Sequence, residues 1–181
     1  MRYHRIQRLL RAMALAAVPA MAGNIVTNPG FETGDFTGWT VTSGAAVSTF
    51  GPHSGTYDAK FYASVCCGMI SQTLATTAGQ SYTFSFWLYV GTVGASDEFD
   101  ALWNGTQIYQ DLGHSLGPFY QLLSFTETAS SNATAIAFRG QNTPSVSRLD
   151  DVTVQATPTP EPSTMVLLCL GSAVLFARRR T

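Results

Sequence analysis

Ser81-Tyr82-Thr83-Phe84-Ser85-Phe86-Trp87-Leu88-Tyr89-Val90 is the stretch that decides the fold. Successive side chains of an extended strand point to opposite faces, so Tyr82, Phe84, Phe86, Leu88 and Val90 share one face, and Thr83, Ser85, Trp87 and Tyr89 share the other. One face builds a core; the second, mixing hydroxyls with amphipathic rings, meets solvent. Antiparallel sheets are built from strands of this kind.

The same pattern extends on both sides. Ala78-Gly79-Gln80 is a turn, and residues 70–74 before it read as another strand. Downstream, 98–103, then Asn104-Gly105, then 106–109 is a hairpin signature, because Asn-Gly supplies the two positive-φ residues of a type I′ turn. Strands follow at 120–126, 133–139 and 149–154, with others near Asn24, at 39–47 and at 59–62. No sustained i, i+3, i+4, i+7 pattern of helical length interrupts them. Serine and threonine make up 33 of the 134 residues from Asn24 to Thr157, which favours exposed strand faces. The expectation is an all-β fold: an antiparallel jelly-roll β-sandwich of eight or nine strands over residues 23–156.

Charge is distributed unevenly along the 181 residues. Seven of the ten basic residues lie at the two ends, leaving Lys60, Arg139 and Arg148 between them against ten acidic residues, a net charge of −7 for the middle. A nucleic-acid partner is excluded on that ground, since neutralising phosphates needs clustered Lys and Arg.

The ends read as addresses. Arg2, Arg5, Arg8 and Arg11, a short apolar run over 12–18, and small residues at Ala20 and Ala22 make residues 1–22 a secretory signal peptide with an A-x-A cleavage site. A short amphipathic helix is the alternative for this segment. At the other end, residues 157–164 are a proline-broken linker containing Pro160-Glu161-Pro162. Residues 165–177 are apolar, and Arg178, Arg179 and Arg180 follow. The run is shorter than the ~20 residues of a perpendicular span, and Ser163, Thr164 and snorkelling arginines extend its reach. Read as a transmembrane helix over 165–181, it keeps the arginines cytoplasmic and everything before Pro162 outside; a buried core helix is the alternative.

Pro160-Glu161-Pro162, the hydrophobic run and the arginine cluster together resemble the PEP-CTERM sorting signal of bacterial exported proteins. The resemblance covers about the last 22 residues. It implies a membrane transpeptidase of the exosortase type as a partner, transient membrane anchoring, and a destination in the cell envelope or extracellular matrix of an exopolysaccharide-producing bacterium. A second resemblance spans the middle. Asn28-Pro29-Gly30-Phe31-Glu32, Gly38-Trp39, the loop Gly51-Pro52-His53-Ser54-Gly55-Thr56-Tyr57 and Leu149-Asp150-Asp151-Val152 are similar, in this order, to landmarks of galactose-binding-like jelly rolls, which include carbohydrate-binding modules of the 4/9/22 type. The chain departs from that pattern around Cys66, and sugar-contacting residues do not transfer by motif.

Three candidate sites follow. If the first and last strands pair, Glu32 meets Asp150 and Asp151, and converging carboxylates suit a hard, oxygen-preferring ion such as Ca²⁺. The resembled modules carry a structural calcium there, with backbone oxygens of 53–57 as further donors. The alternative is a set of solvated strand-end acids. Nineteen of the 21 aromatic residues lie between Asn24 and Thr157. Among them Trp87 and Tyr89 alternate off the core face, and with Asp100, Gln107 and Asn142 they make a candidate glycan-binding surface, since apolar sugar faces pack on rings while carboxylates and amides bind hydroxyls. Packing in the core is the alternative role for any one ring. Cys66 and Cys67 are adjacent in an exported chain, which permits a strained vicinal disulfide, a bridge to another chain, or two buried thiols.

Enzyme motifs are scarce. His53 and His114 are the only histidines beyond the leader. Asp97, Glu98 and Asp100 offer carboxylates for glycoside hydrolysis, or a polar strand edge. Asn104-Gly105-Thr106 and Asn132-Ala133-Thr134 match glycosylation sequons, which carry little weight in a bacterium. The sequence therefore describes a non-catalytic exported surface or matrix protein that touches exopolysaccharide through an aromatic face. The alternatives are a purely structural biofilm matrix protein without a glycan site, and a glycoside hydrolase or lyase.

Overall fold

A computed structural model describes residues 23–42, 44–62, 68–91, 97–113, 119–141 and 146–158. The leader with Ala20 and Ala22, Cys66 and Cys67, His114, Asn142, and the tail with Pro160 to Pro162 and Arg178 to Arg180 lie outside them. So does the expected transmembrane helix. Among the described residues no helix is long and apolar enough to cross a membrane.

Among the described residues ten strands form: β1 (Thr40–Val41), β2 (Ala45–Ser48), β3 (Asp58–Phe61), β4 (Gly68–Ala75), β5 (Ser81–Val90), β6 (Glu98–Trp103), β7 (Thr106–Leu112), β8 (Gln121–Thr128), β9 (Ala133–Gln141) and β10 (Ser147–Ala156). They assemble into two five-stranded antiparallel sheets of order β1-β4-β9-β6-β7 and β2-β3-β10-β5-β8, an all-β jelly-roll sandwich. Ten strands stand where eight or nine were expected: residues 39–47 divide in two, while the segment near Asn24 adds none. β1 pairs with β4 in one sheet and β2 with β3 in the other. The chain changes sheet around Gly44, whose φ of 91° an L side chain rarely adopts. The segment near Asn24 runs beside β10 as expected, yet forms no strand of its own. The Asn24 side chain takes over the ladder, accepting from the Val154 N–H at 2.9 Å while its amide donates to the Val152 carbonyl at 2.9 Å.

β5 alternates as its sequence requires: every residue from Tyr82 to Val90 at even number is buried and every odd one is half-buried. The inner faces of the two sheets meet through rings. Phe138 of β9 packs edge-on against Phe86 of β5 at 4.9 Å, and reaches Phe84 at 5.7 Å, Phe99 at 6.1 Å and Trp39 at 6.2 Å. Truncating such a fully buried ring to alanine costs about 3–5 kcal/mol. The β6–β7 hairpin turns on Asn104 and Gly105 with φ of 48° and 81°, as the Asn-Gly pair predicts.

One irregularity positions the site. β10 slips register against β5 between Asp150 and Thr153, and Asp151 takes a φ of 47°. Leu149, Val152 and Val154 all enter the core. Two residues instead of one therefore separate the first pair of core contacts, and both Asp150 and Asp151 are left off the core face by this bulge.

Candidate functional site

The bulged aspartates meet the first turn of the domain. The Val152 N–H donates to the Pro29 carbonyl at 2.9 Å and Ile25 N–H to the Val154 carbonyl at 3.0 Å, which lays the segment 24–30 along β10. Phe31 is fully buried at a φ of 59°, so the next residue, Glu32, is turned outward. Gly30 marks the meeting point. A Cβ built there lies 3.3 Å from Asp151 Oδ1, 3.4 Å from Asp150 Oδ1 and 3.7 Å from Glu32 Cγ. The pairing expected from the sequence thus brings Glu32, Asp150 and Asp151 to one place.

The loop 53–57 is clasped by these acids. Asp150 Oδ2 accepts the His53 and Ser54 N–H groups at 2.9 and 3.0 Å, and Asp150 Oδ1 accepts the Asp151 N–H at 2.8 Å. Asp151 accepts the Ser54 hydroxyl at 2.9 Å and pairs with His53 Nδ1 at 2.7 Å. Glu32 accepts the Thr56 and Tyr57 N–H groups at 3.0 Å. Burial pushes the Asp150 carboxyl up to about 6, against the pull of the Ser54 and Asp151 N–H groups. Asp150 Oδ2 and Glu32 Oε1 each accept two N–H groups, whereas Asp150 Oδ1 accepts one and keeps a second lone pair. His53, Asp150 and Asp151 have potential ligand atoms all within 4.8 Å of one another.

The cluster continues across the outer face of the β10 sheet. The His53 ring stacks on Trp87 with centroids 3.8 Å apart and planes 16° from parallel, and its edge meets Tyr120 at 5.5 Å. Tyr120 packs on Tyr89 at 5.8 Å. Below them, fully buried Asp58 accepts the Tyr120 hydroxyl at 3.0 Å and Arg148 Nη1 at 2.9 Å on the same oxygen, Oδ2. Its other oxygen has no hydrogen-bond partner among the described residues. Burial and the neighbouring Asp58 carboxylate hold the Tyr120 phenol well above its ordinary range. The Arg148 guanidinium sits 5.1 Å over the exposed Phe50 ring, and exposed Leu122 is the cross-strand partner of Trp87.

Asp100 is not part of this surface. It lies on β6 in the opposite sheet, fully buried, where Arg139 of β9 donates to Oδ2 from Nε at 2.7 Å and also from Nη2. Arg139 Nη2 also reaches Glu98 Oε1 at 3.1 Å, to which Gln110 donates at 3.2 Å. Burial raises the Asp100 carboxyl while Arg139 pulls it back down. The alternation of β6 puts Asp100 on an outer face correctly; which sheet would receive β6 is a long-range fact the local pattern does not carry. Gln107, on β7, is exposed on this sheet too. The sequence also left the His53 side chain and the Tyr120–Asp58–Arg148 group unassigned. The broken alternation of Leu149-Asp150-Asp151-Val152 is the readable sign that two acids face one way.

The tail carries the clearest likeness to known proteins. Residues 158–180 match the PEP-CTERM protein-sorting motif. A motif of this kind implies export and association with the cell envelope. No curated protein matches the sequence. Among solved structures, a family 61 carbohydrate-binding module in complex with β-1,4-galactotriose is similar at a TM-score of 0.60 and 17% identity, over 74% of this chain and 98% of the module. The CBM22-1 xylan-binding domain from Paenibacillus barcinonensis is similar at 0.54 and 15%, over 77% of this chain and 99% of that domain. A Stig cyclase from Fischerella sp. TAU gives 0.55 and 17%, over 77% and 100%. At these identities the likeness is one of fold, a jelly roll used by binding modules and by enzymes alike.

Proposed function

We propose that this is a sorted, exported, non-catalytic carbohydrate-binding protein whose polysaccharide ligand rests on the outer face of the β10 sheet. The observation that carries the reading is the ring cluster His53–Trp87–Tyr120–Tyr89, flanked by exposed Phe50 and Leu122. Partly exposed rings beside hydroxyl, guanidinium and carboxylate groups match the alternating apolar and polar faces of a sugar chain. Galactotriose in the family 61 module and xylan in the CBM22-1 domain are the ligands of similarly folded proteins.

A structural Ca²⁺ belongs to this proposal. Asp150 and Asp151 approach Gly30 with carboxylate oxygens and Glu32 with its Cγ, and Asp151 pairs with His53. Two aspartates with oxygens beside one glycine, and Glu32 adjacent, offer the donor type that a hard cation takes. Calcium bound there would neutralise the acids and fasten the loop 53–57 to β10. The non-catalytic reading is supported by Asp100, which is committed to Arg139 and so is not free to shuttle a proton in glycoside hydrolysis.

The Glu98–Asp100–Arg139–Gln110 network favours a second reading, in which the glycan lies on the outer face of the β9 sheet. There Asp100 Oδ1 is buried without a hydrogen-bond partner among the described residues. The deciding experiment is retention of the mature protein on the producing bacterium's own exopolysaccharide. Trp87→Ala with Tyr89→Ala is expected to lower retention by about tenfold or more. Unchanged retention in that variant together with loss in Gln110→Ala moves the ligand to the β9 sheet. Absence of retention in the wild type leaves a purely structural matrix protein, and turnover of the polysaccharide would reveal an enzyme.

A further inference from the structure

We infer that β8 is a self-pairing edge through which two copies of this chain join about a twofold axis at Ser124, fusing their β10 sheets into one antiparallel sheet of ten strands.

The four sheet edges are unequal. β1 has two residues and β2 four, and β7 slips register against β6 between Ala101 and Leu102. β8 has eight residues and runs beside β5 from Gln121 to Thr128 with no shift of register. Among the described residues nothing pairs with its other side. Long regular edges are ordinarily blunted by a bulge, a proline or lysines. Gln121-Leu122-Leu123-Ser124-Phe125-Thr126-Glu127-Thr128 has none of these, and Glu127 is its one charge.

The sequence of β8 then selects a second copy and a register. Opposite residues of an antiparallel pair share a face, so a strand meeting its own copy sets odd numbers against odd and even against even. With Ser124 on the axis, Leu123 faces Phe125 of the second copy, Leu122 faces Thr126, and Gln121 faces Glu127, each pair occurring twice. Leu123 and Phe125 are half-buried and packed on the core, so their pairing carries the core across the seam. The Gln121 amide is a donor for the Glu127 carboxylate it faces. The two Glu127 side chains are six residues apart along the seam, about 20 Å, well beyond the ~8 Å over which salt leaves charges in touch. Two domains that each carry −7 therefore join on a stretch without a like-charge contact. Centring the axis on Phe125 instead sets the Glu127 carboxylate against Leu123, which is why Ser124 is favoured. The edge is about 27 Å long with the second sheet ~10 Å beneath it, so the two copies together cover about 1,000 Å² once flanking side chains are included, the size at which specific interfaces begin.

A twofold axis perpendicular to the fused sheet turns both outer faces, each with its Trp87 and Tyr89, the same way. Polysaccharide retention then gains from two linked surfaces. That consequence rests on the reading of this face as the glycan surface; the dimer does not.

Sedimentation of the mature protein is expected to find a dimer at concentrations on the order of 10 μM. Ser124 is exposed, so Ser124→Lys keeps the fold, as its circular dichroism will show, and sets two ammonium groups against each other on the axis. It is expected to weaken dimerisation by at least about tenfold and to lower retention with it. Ser124→Cys is expected to give a disulfide-linked dimer on mild oxidation, the link between the two copies of residue 124 being identified by peptide mass. Thr126→Cys, whose copies lie about 14 Å apart, is expected to give none. A wild type that sediments as a monomer overturns the inference, as does a dimer that Ser124→Lys leaves intact, or linkage through Thr126→Cys in preference to Ser124→Cys. A dimer that responds as expected in these variants, with no polysaccharide retained by the wild type, upholds the pairing and removes the glycan reading instead.

Discussion

Arg139 of β9 closes on the fully buried Asp100 of β6 from two nitrogens, and the same guanidinium reaches Glu98. The two residues are direct cross-strand partners, so the pair ties the two central strands of its sheet together. Removing one partner strands a buried carboxylate, which costs more than the pair itself contributes. Arg139→Ala is expected to lower stability by on the order of 2–4 kcal/mol in urea unfolding, the lower end reflecting the partial exposure of the arginine. Arg139→Met combined with Asp100→Asn is expected to recover much of the loss. A double variant no more stable than the single one would show that the carboxylate is not what makes the single variant costly.

Gly55 has a φ of 63°, and a Cβ there would collide with the Glu32 carboxylate. Gly55→Ala therefore carries backbone strain of about 1–3 kcal/mol and displaces Glu32 from the Thr56 and Tyr57 N–H groups. The expected outcome is a lower melting temperature and calcium affinity weakened by about tenfold, measured by calorimetry. In the wild type, calcium at a hundredfold excess over its Kd should add about 2.7 kcal/mol of stability. A melting temperature indifferent to both calcium and chelator would remove the cation from this site.

How much of this was readable beforehand depends on the range of the interaction. The β5 alternation and the Asn104-Gly105 turn are local chemistry and were visible as such. Glu32 and the Asp150–Asp151 pair are far apart in sequence, yet a sandwich that pairs its first segment with its last strand has few ways to keep them apart. Asp100 shows the opposite case. Its outward orientation follows from its neighbours Phe99 and Ala101 in the core, while its distance from Trp87 follows from strand order, which a period of two does not encode. His53 escaped because its role is made by three partners from β5 and β10, each reached only after the sheet has formed.

Tyr109 supplies a pH dependence. Burial, with Asp111 beside it, pushes its phenol up to about 12 from an ordinary 10.0. Between those values the unfolded chain gives up the proton while the folded chain keeps it, so the folded state binds more protons and stability falls as pH rises through this window. The slope is bounded by about 1.4 kcal/mol per pH unit and is reduced by the partial exposure of the ring. Tyr109→Phe is expected to flatten alkaline unfolding between pH 10 and about 12 relative to the wild type. An identical alkaline limb in both proteins would assign the effect to other groups, Tyr120 first among them.

Processing of the tail is the remaining prediction, and it separates the roles of three short elements. The match over residues 158–180 takes in Pro160-Glu161-Pro162, the apolar run and Arg178 to Arg180. Arginines that stay on the cytoplasmic side of a bilayer stop the run from following the domain across, because moving each through the hydrocarbon is costly. A cut near Pro160-Glu161-Pro162 would then release the β domain from its anchor. Intact-mass analysis of the envelope-associated protein is expected to find a C-terminus near that motif. Glu161→Ala is expected to retain the whole tail and keep the protein in the membrane fraction. Arg178, Arg179 and Arg180 changed together to Gln are expected to weaken retention before cleavage. A full-length tail on the wild-type protein in its final location would show that the anchor is permanent and that the motif directs sorting without a cut.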